Sequence, residues 1–305
     1  MSNRQQPTYR GVYCPVFTPF TTTGELDLDG AGIIYDHLIA GGVDGIVILG
    51  SMGEFQAIPP ADRQRLIRFA RSHVGDRCRL IVGTGGTAVS EVVELTQFAE
   101  EAGADAAMIV PPYYAPVTEP AVRAYYQAVL AETGIDVLLY NFPARTGYDL
   151  SPRVVGELAR SNERIVGLKD TVDSISHTRA VINEVVPHRP EFAVFSGFDE
   201  YIFVNLLSGG AGMVNGLTNL IPGTFRRAYD AYHAGDLETM REIQAMLVKL
   251  MPLYTVAPNF VAAFKYAISL LLPGVQPPCA PPEPPLSPEL QPVVRELLSD
   301  AGLSW

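Results

Sequence analysis

What this chain lacks narrows it first. Among 305 residues there are only three cysteines, Cys14, Cys78 and Cys279, odd in number and without metal-ligand spacing. Neither a disulfide framework nor a cysteine-built metal site is expected, and a reducing cytoplasm is the simplest home. Basic residues are in deficit: 22 Lys and Arg against 33 Asp and Glu leave a net charge of −11, and no basic tract relieves it. Broad nucleic-acid binding by charge is therefore excluded as an expectation. No apolar run approaches membrane-spanning length, and the opening Met1 to Arg10 is polar, unlike a signal peptide, so no membrane partner is expected. A dinucleotide fingerprint is missing as well. Gly83-Thr84-Gly85-Gly86 is glycine-rich but lacks the full Gly-x-Gly-x-x-Gly pattern and its later acidic partner.

What is present is an apolar content of 48%, enough for a substantial core, arranged in a repeated rhythm. Short apolar runs recur at Val12 to Phe17, Gly45 to Leu49, Leu80 to Val82, Ala106 to Val110, Val137 to Tyr140, Ile165 to Leu168, Phe192 to Phe195 and Ala211 to Val214. Between them, Asp29 to Ala40, Pro60 to Ser72, Ala88 to Ala102, Glu119 to Ala131 and Ser151 to Arg160 carry helical spacings. Eight strands with helices between most of them predict an α/β fold of the closed (β/α)8, or TIM-barrel, type rather than an open dinucleotide-binding sheet. The barrel is expected over residues 1–220. A C-terminal helical extension is expected over 221–305, with helices at Phe225 to His233, Leu237 to Leu250, Pro258 to Leu272 and Pro288 to Ala301. The proline-rich stretch from Pro277 to Pro285 sustains neither helix nor central strand and reads as an extended strap.

Lys169 ends the apolar run Ile165-Val166-Gly167-Leu168, where a buried strand would ordinarily carry another hydrophobe. A period of two places Ile165, Gly167 and Lys169 on one face, the lysine at the carboxyl end, where barrel active sites collect. Partial burial opposes charging of an amine, and a free amine attacks a ketone carbon. The bland reading is a snorkelling lysine or one paired with Asp170. Tyr140, in Leu138-Leu139-Tyr140-Asn141-Phe142-Pro143, also falls at a strand end, where its hydroxyl can pass a proton while its ring packs. The turn Gly50-Ser51-Met52-Gly53-Glu54 follows another strand; its glycines let backbone N–H groups approach a carboxylate, and Ser51 adds a donor. Glu54 is expected to be structural, since nothing directs it at a substrate.

Gly50-Ser51-Met52-Gly53-Glu54, Tyr140-Asn141-Phe142-Pro143 and Gly167-Leu168-Lys169-Asp170 together resemble the three signatures of the dihydrodipicolinate synthase/N-acetylneuraminate lyase family, in order across nearly the whole chain. The resemblance implies a class I, Schiff-base enzyme in a (β/α)8 barrel, usually a homotetramer built as a dimer of dimers. By it, Lys169 forms an imine with pyruvate or a 2-oxo acid, Tyr140 relays protons, and the Ser51/Met52 turn holds the carboxylate. Pro111-Pro112-Tyr113-Tyr114 resembles the segment whose second tyrosine, Tyr114 here, reaches into the neighbouring subunit's site. Substrate contacts are expected from Arg145, Gly197 and Met213 as well. Such chemistry needs neither metal nor organic cofactor, because the imine itself is the electron sink.

Within the family the features divide. Synthases carry two threonines where this chain has Ser51 and Met52, so a hydroxyl is lost from the pocket wall; Arg145 points the other way, resembling the synthase arginine that binds the aldehyde's carboxylate. Leu138 to Ala144, Gly147 to Leu150, Lys169 to Ser174, Gly83 to Thr87 and Ser196-Gly197-Phe198-Asp199 resemble the bacterial 2-keto-3-deoxygluconate aldolase branch. Cleavage of a 2-keto-3-deoxy sugar acid to pyruvate and an aldehyde is therefore expected, with Asp173 and Ser174 available to read hydroxyls. The alternatives are dihydrodipicolinate synthase, a deoxy-oxo sugar acid dehydratase, and a non-catalytic 2-oxo-acid sensor.

Overall fold

Short strands buried on both faces and joined by helical crossovers make a parallel sheet that is covered on both sides. In the computed structural model, which describes residues 7–305, eight strands run round a closed barrel in chain order. They are β1 (Gly11–Pro15), β2 (Gly45–Ile48), β3 (Arg79–Gly83), β4 (Ala106–Ile109), β5 (Asp136–Asn141), β6 (Ile165–Asp170), β7 (Ala193–Ser196) and β8 (Gly212–Val214). The expected (β/α)8 architecture is thus the observed one. Residues 1–6 of the polar opening segment lie outside the described residues. The connecting helices are α1 (Leu28–Ala40), α2 (Pro60–Val74), α3 (Val89–Glu101), α4 (Glu119–Glu132), the single turn α5 (Pro143–Thr146), α6 (Pro152–Ser161), α7 (Ile175–Val185) and α8 (Ile202–Leu207). Beyond β8 come α9 (Pro222–Ala234), α10 (Leu237–Leu250), α11 (Phe260–Leu271) and α12 (Gln291–Asp300), each within a few residues of its sequence expectation. Among the described residues no helix is long and apolar enough to cross a membrane.

Contacts along the chain gather in two compact units. The first joins Arg79–Asn215 to the stretch ending at Val12. Its core packs Val122, Tyr126 and Val129 of α4, Val154, Val155 and Leu158 of α6, and Val181 and Val185 of α7 against Ala107, Ile109, Val137, Leu139, Leu168 and Val194. Pro152 opens α6, where its missing N–H costs nothing, and the Ser151 hydroxyl accepts from the Val154 N–H. One sequence expectation needs correcting here. Ile165 lies in the same core cluster as Leu168, not on the face of Gly167 and Lys169. The register between β5 and β6 steps from Val137↔Ile165 to Leu138↔Gly167, so Val166 is an extra residue and the period of two is reset. From Gly167 onward the alternation holds, and Lys169 pairs with Tyr140 and Phe195 on its two sides.

The second unit comprises Tyr13–Cys78 and Gly216–Trp305. Here β1 pairs with β2 in parallel through Tyr13↔Gly45 and Pro15↔Val47. The Phe264 ring of α11 lies 5.8 Å from that of Phe17 and 4.7 Å from that of Tyr254. Helix α11 is apolar on most sides, yet carries the buried Lys265.

Candidate active site

Lys169 and Tyr140 are brought together by pairing of β5 with β6. Both are buried, and Lys169 Nζ lies 4.4 Å from the centre of the Tyr140 ring. The bland reading of Lys169 fails on geometry. Among the described residues it forms no ion pair, and the neighbouring Asp170 carboxylate belongs to the other face of the strand. There Asp170 accepts from Asn141 Nδ2 at 3.1 Å and Thr178 Oγ1 at 2.6 Å, with His177 Nδ1 at 2.9 Å. A buried amine at the end of a barrel strand, over the face of the Tyr140 ring, is placed for nucleophilic work.

Gly197 follows the end of β7, and Met213 sits on β8. The Gly197 N–H donates to the Asp170 carbonyl at 2.8 Å, and a Cβ there would collide with the Thr171 side chain, so only glycine fits. Met213 is fully buried and pairs with Ser196. Arg145 is exposed in the last turn of α5, its N–H bonded to the Phe142 carbonyl at 2.9 Å. Asp173 accepts from the Tyr201 phenol at 2.6 Å; that bond to a carboxylate, aided by burial, pushes Tyr201 up to about 12. Phe198 packs on Tyr201, with ring centres 5.6 Å apart. The Gly83–Gly86 loop is a packing device, because a Cβ at Gly85 would meet Val110 at 2.6 Å.

Tyr114 stands apart. It is 99% exposed, and its φ of 78° puts a bulky residue in the left-handed region. Such an outlier persists where the surroundings over-determine it, and outliers of this kind cluster at working sites.

The second unit holds Ser51 and Met52. Met52 is buried and Ser51 half-buried, in a turn closed by Gly53 N–H to the Gly50 carbonyl at 3.0 Å and Glu54 N–H to the Ser51 carbonyl at 3.2 Å. Leu49 and Glu54, on either side of it, are both left-handed, with φ of 55° and 54°. Two non-glycine residues in that region mark a turn held under strain. The clamp is visible: Glu54 accepts the Ala280 N–H at 2.9 Å and ion-pairs with Lys265, which also donates to the Pro278 carbonyl at 3.0 Å. Burial pulls Lys265 below the usual lysine range, against the opposing pull of Glu54. Glu54 is therefore structural, as its sequence context indicated, and it anchors the proline strap. Removing one partner of a buried pair strands the other charge. Lys265→Met should cost about 3–5 kcal/mol in chemical denaturation, and adding Glu54→Leu should recover a large part of it.

Three supporting residues escaped the sequence reading. Asn141 and His177 have no local signature, because their partners lie across strands and loops. Lys265 did leave a signal, a lone cation inside the apolar run of α11. Among the described residues no group of three or more His, Cys, Asp and Glu side chains is arranged to hold a metal ion.

Fold, strand-end lysine and paired tyrosine define a barrel of the pyruvate-handling lyase class, and comparison with known proteins places it. The chain belongs to the dihydrodipicolinate synthetase family, whose model matches residues 8–301. It is 38% identical over 281 residues to Escherichia coli YagE, provisionally named a 2-dehydro-3-deoxy-D-gluconate aldolase, covering 91% of this chain and 93% of that one. It is 36% identical to E. coli YjhH, provisionally named a 2-dehydro-3-deoxy-D-pentonate aldolase, over 97% of this chain and 98% of that one. It is also 36% identical to 4-hydroxy-tetrahydrodipicolinate synthase 1 of Streptomyces coelicolor, with 95% of each chain covered. The crystal structure of YagE in complex with pyruvate superposes with a TM-score of 0.95 at 37% identity, over 97% of this chain and 100% of that one.

Proposed function

We propose that this protein is a class I aldolase that reversibly cleaves a 2-keto-3-deoxy sugar acid, such as 2-keto-3-deoxygluconate, to pyruvate and an aldehyde such as glyceraldehyde. The observation that carries it is the buried Lys169 amine, 4.4 Å from the Tyr140 ring centre. In this reading Lys169 Nζ attacks the C2 carbonyl and water leaves, giving a protonated imine. The C3–C4 bond then breaks, its electron pair passing into the imine as an enamine, while Tyr140, left as a phenolate after supplying the proton that releases that water, takes the C4 hydroxyl proton. Protonation at C3 and hydrolysis release pyruvate and restore the amine.

The strained turn at Ser51 and Met52 is assigned the substrate carboxylate, with Gly197, Met213 and Arg145 toward the remainder of the substrate. Residues 1–220 carry the chemistry and 221–305 form the helical extension. The exposed, left-handed Tyr114 supports a homotetramer, a dimer of dimers in which that phenol serves a neighbouring subunit. A cytoplasmic location fits three cysteines that remain thiols.

Arg145 favours a second reading, condensation of pyruvate with aspartate semialdehyde, and a 4-hydroxy-tetrahydrodipicolinate synthase of Streptomyces coelicolor is among the relatives. Parallel kinetics decide between them. Cleavage of 2-keto-3-deoxygluconate should exceed the condensation, and Arg145→Leu should alter affinity or substrate preference without preventing a pyruvate adduct at Lys169. Preferred condensation, with Arg145 required only for the semialdehyde, would reverse the ranking. Water loss has to be followed separately, because a dehydratase would also consume the sugar acid. Tight 2-oxo-acid binding without any imine would instead mark a sensor.

A further inference from the structure

We infer that His177 is a positioning residue for Lys169 and Tyr140, held as a doubly protonated imidazolium that closes a hydrogen-bond network behind the two reactive side chains. The inference rests on the aldolase reading above. Its basis is the register of β5 on β6, in which Tyr140 pairs with Lys169 and Asn141 with Asp170. Consecutive strand residues face opposite ways, so the pair that does chemistry and the pair that ties the strands together are one residue apart on each strand. Asn141 Nδ2 donates to Asp170 at 3.1 Å and to Asp149 at 2.8 Å, while its Oδ1 accepts the Leu150 N–H at 2.9 Å. His177, near the start of α7, completes the set: Nδ1 lies 2.9 Å from Asp170, and Nε2 lies 3.2 Å from the Leu150 carbonyl and 3.4 Å from Asp149.

The protonation state follows from the partners. The Leu150 carbonyl has only lone pairs to offer Nε2, and Asp170, already receiving Asn141 and Thr178, presents lone pairs to Nδ1. A neutral imidazole carries one N–H, so one of its nitrogens would set a lone pair against an acceptor. With both nitrogens protonated, both contacts are made. Asp170 from β6 and Asp149 from the segment before α6 are the charged groups that face the ring, and both are anions. Burial alone would lower the histidine; the hydrogen bond to Asp170 and the charges of Asp170 and Asp149 outweigh it and hold His177 above its ordinary value of 6.5.

Because that value is raised on folding, the network's contribution is complete below the unfolded-state value and is lost as pH climbs through the folded one. Above that point a ring nitrogen opposes an acceptor, Asp170 loses its counter-charge, and the strand-end tie that aligns Lys169 with Tyr140 loosens. Ångström-scale misplacement of reacting groups is worth about 10- to 100-fold in rate.

The experiment combines ¹⁵N-histidine NMR of the wild-type enzyme with pH profiles of kcat and KM for sugar-acid cleavage in wild type, His177→Phe and His177→Asn. NMR should show both ring nitrogens of His177 protonated at neutral pH, titrating above 6.5. His177→Phe, which removes both donors, should lower kcat by about 10- to 100-fold with little change in KM, while borohydride still traps pyruvate on Lys169. His177→Asn keeps a donor near the Nδ1 position and cannot titrate, so it should restore most of the neutral-pH rate and abolish the alkaline limb that matches the NMR midpoint. A singly protonated His177 at neutral pH, or a folded His177→Phe enzyme with wild-type kcat throughout, overturns the inference. Should His177→Phe fail to fold, a His177→Asn enzyme that keeps the alkaline limb overturns it equally. A wild type that forms no pyruvate adduct overturns the aldolase reading and this role with it; an adduct in wild type with indifferent variants overturns this role alone.

Discussion

Lys169→Arg will fold, keep a positive charge at the end of β6, and form no covalent adduct with pyruvate. The guanidinium stays protonated throughout the working pH range, so it has no lone pair for the C2 carbonyl and the covalent route closes. Cleavage is expected to drop by about 10⁴-fold or more, the scale on which removal of a nucleophile is felt. Borohydride reduction with pyruvate, followed by peptide mass analysis, should find a three-carbon addition on Lys169 in the wild type and nowhere in the variant. A merely electrostatic lysine would tolerate the exchange, so substantial activity in Lys169→Arg, or a turning-over wild type without the adduct, would remove Lys169 from the mechanism.

Tyr140→Phe carries the next largest effect. The ring that Lys169 Nζ approaches at 4.4 Å remains, as does its packing near Phe142 at 6.0 Å between ring centres, so fold and imine formation should survive. What disappears is the proton acceptor for the C4 hydroxyl. Loss of a positioned acid–base group lowers rate by about 10²- to 10⁴-fold, and here the loss should fall on cleavage while pyruvate trapping persists. Single-turnover measurements separate the two steps. A correctly folded Tyr140→Phe enzyme with near-wild-type cleavage would leave the phenol as packing.

The barrel was legible because alternating strand and helix are local patterns, written in periods of two and 3.6. Lys169 was legible for a related reason, since an ammonium breaks an otherwise apolar strand. The extra residue at Val166 was not: a bulge is fixed by how β6 lies against β5, and Ile165-Val166-Gly167 reads equally well without one. That is why the period of two puts Ile165 on the wrong face although it places Lys169 on the right one. Helix α7 lies outside the expected helices, and His177 with it. Its ring meets Asp170 seven residues back and Leu150 twenty-seven residues back, separations that no spacing rule encodes. Glu54 was legible as structural only by elimination, because its partners Lys265 and Ala280 lie more than two hundred residues downstream.

Tyr114 sits in a backbone conformation that its own chain does not reward. A left-handed backbone costs a residue with a Cβ roughly 1–2 kcal/mol, and a ring 99% in water recovers nothing from its own chain. Glycine or asparagine at this position would relieve the strain with no apolar burial to lose. Redesign guided by thermostability alone would discard this tyrosine among the first, and with it the phenol that the proposed function gives to a neighbouring subunit.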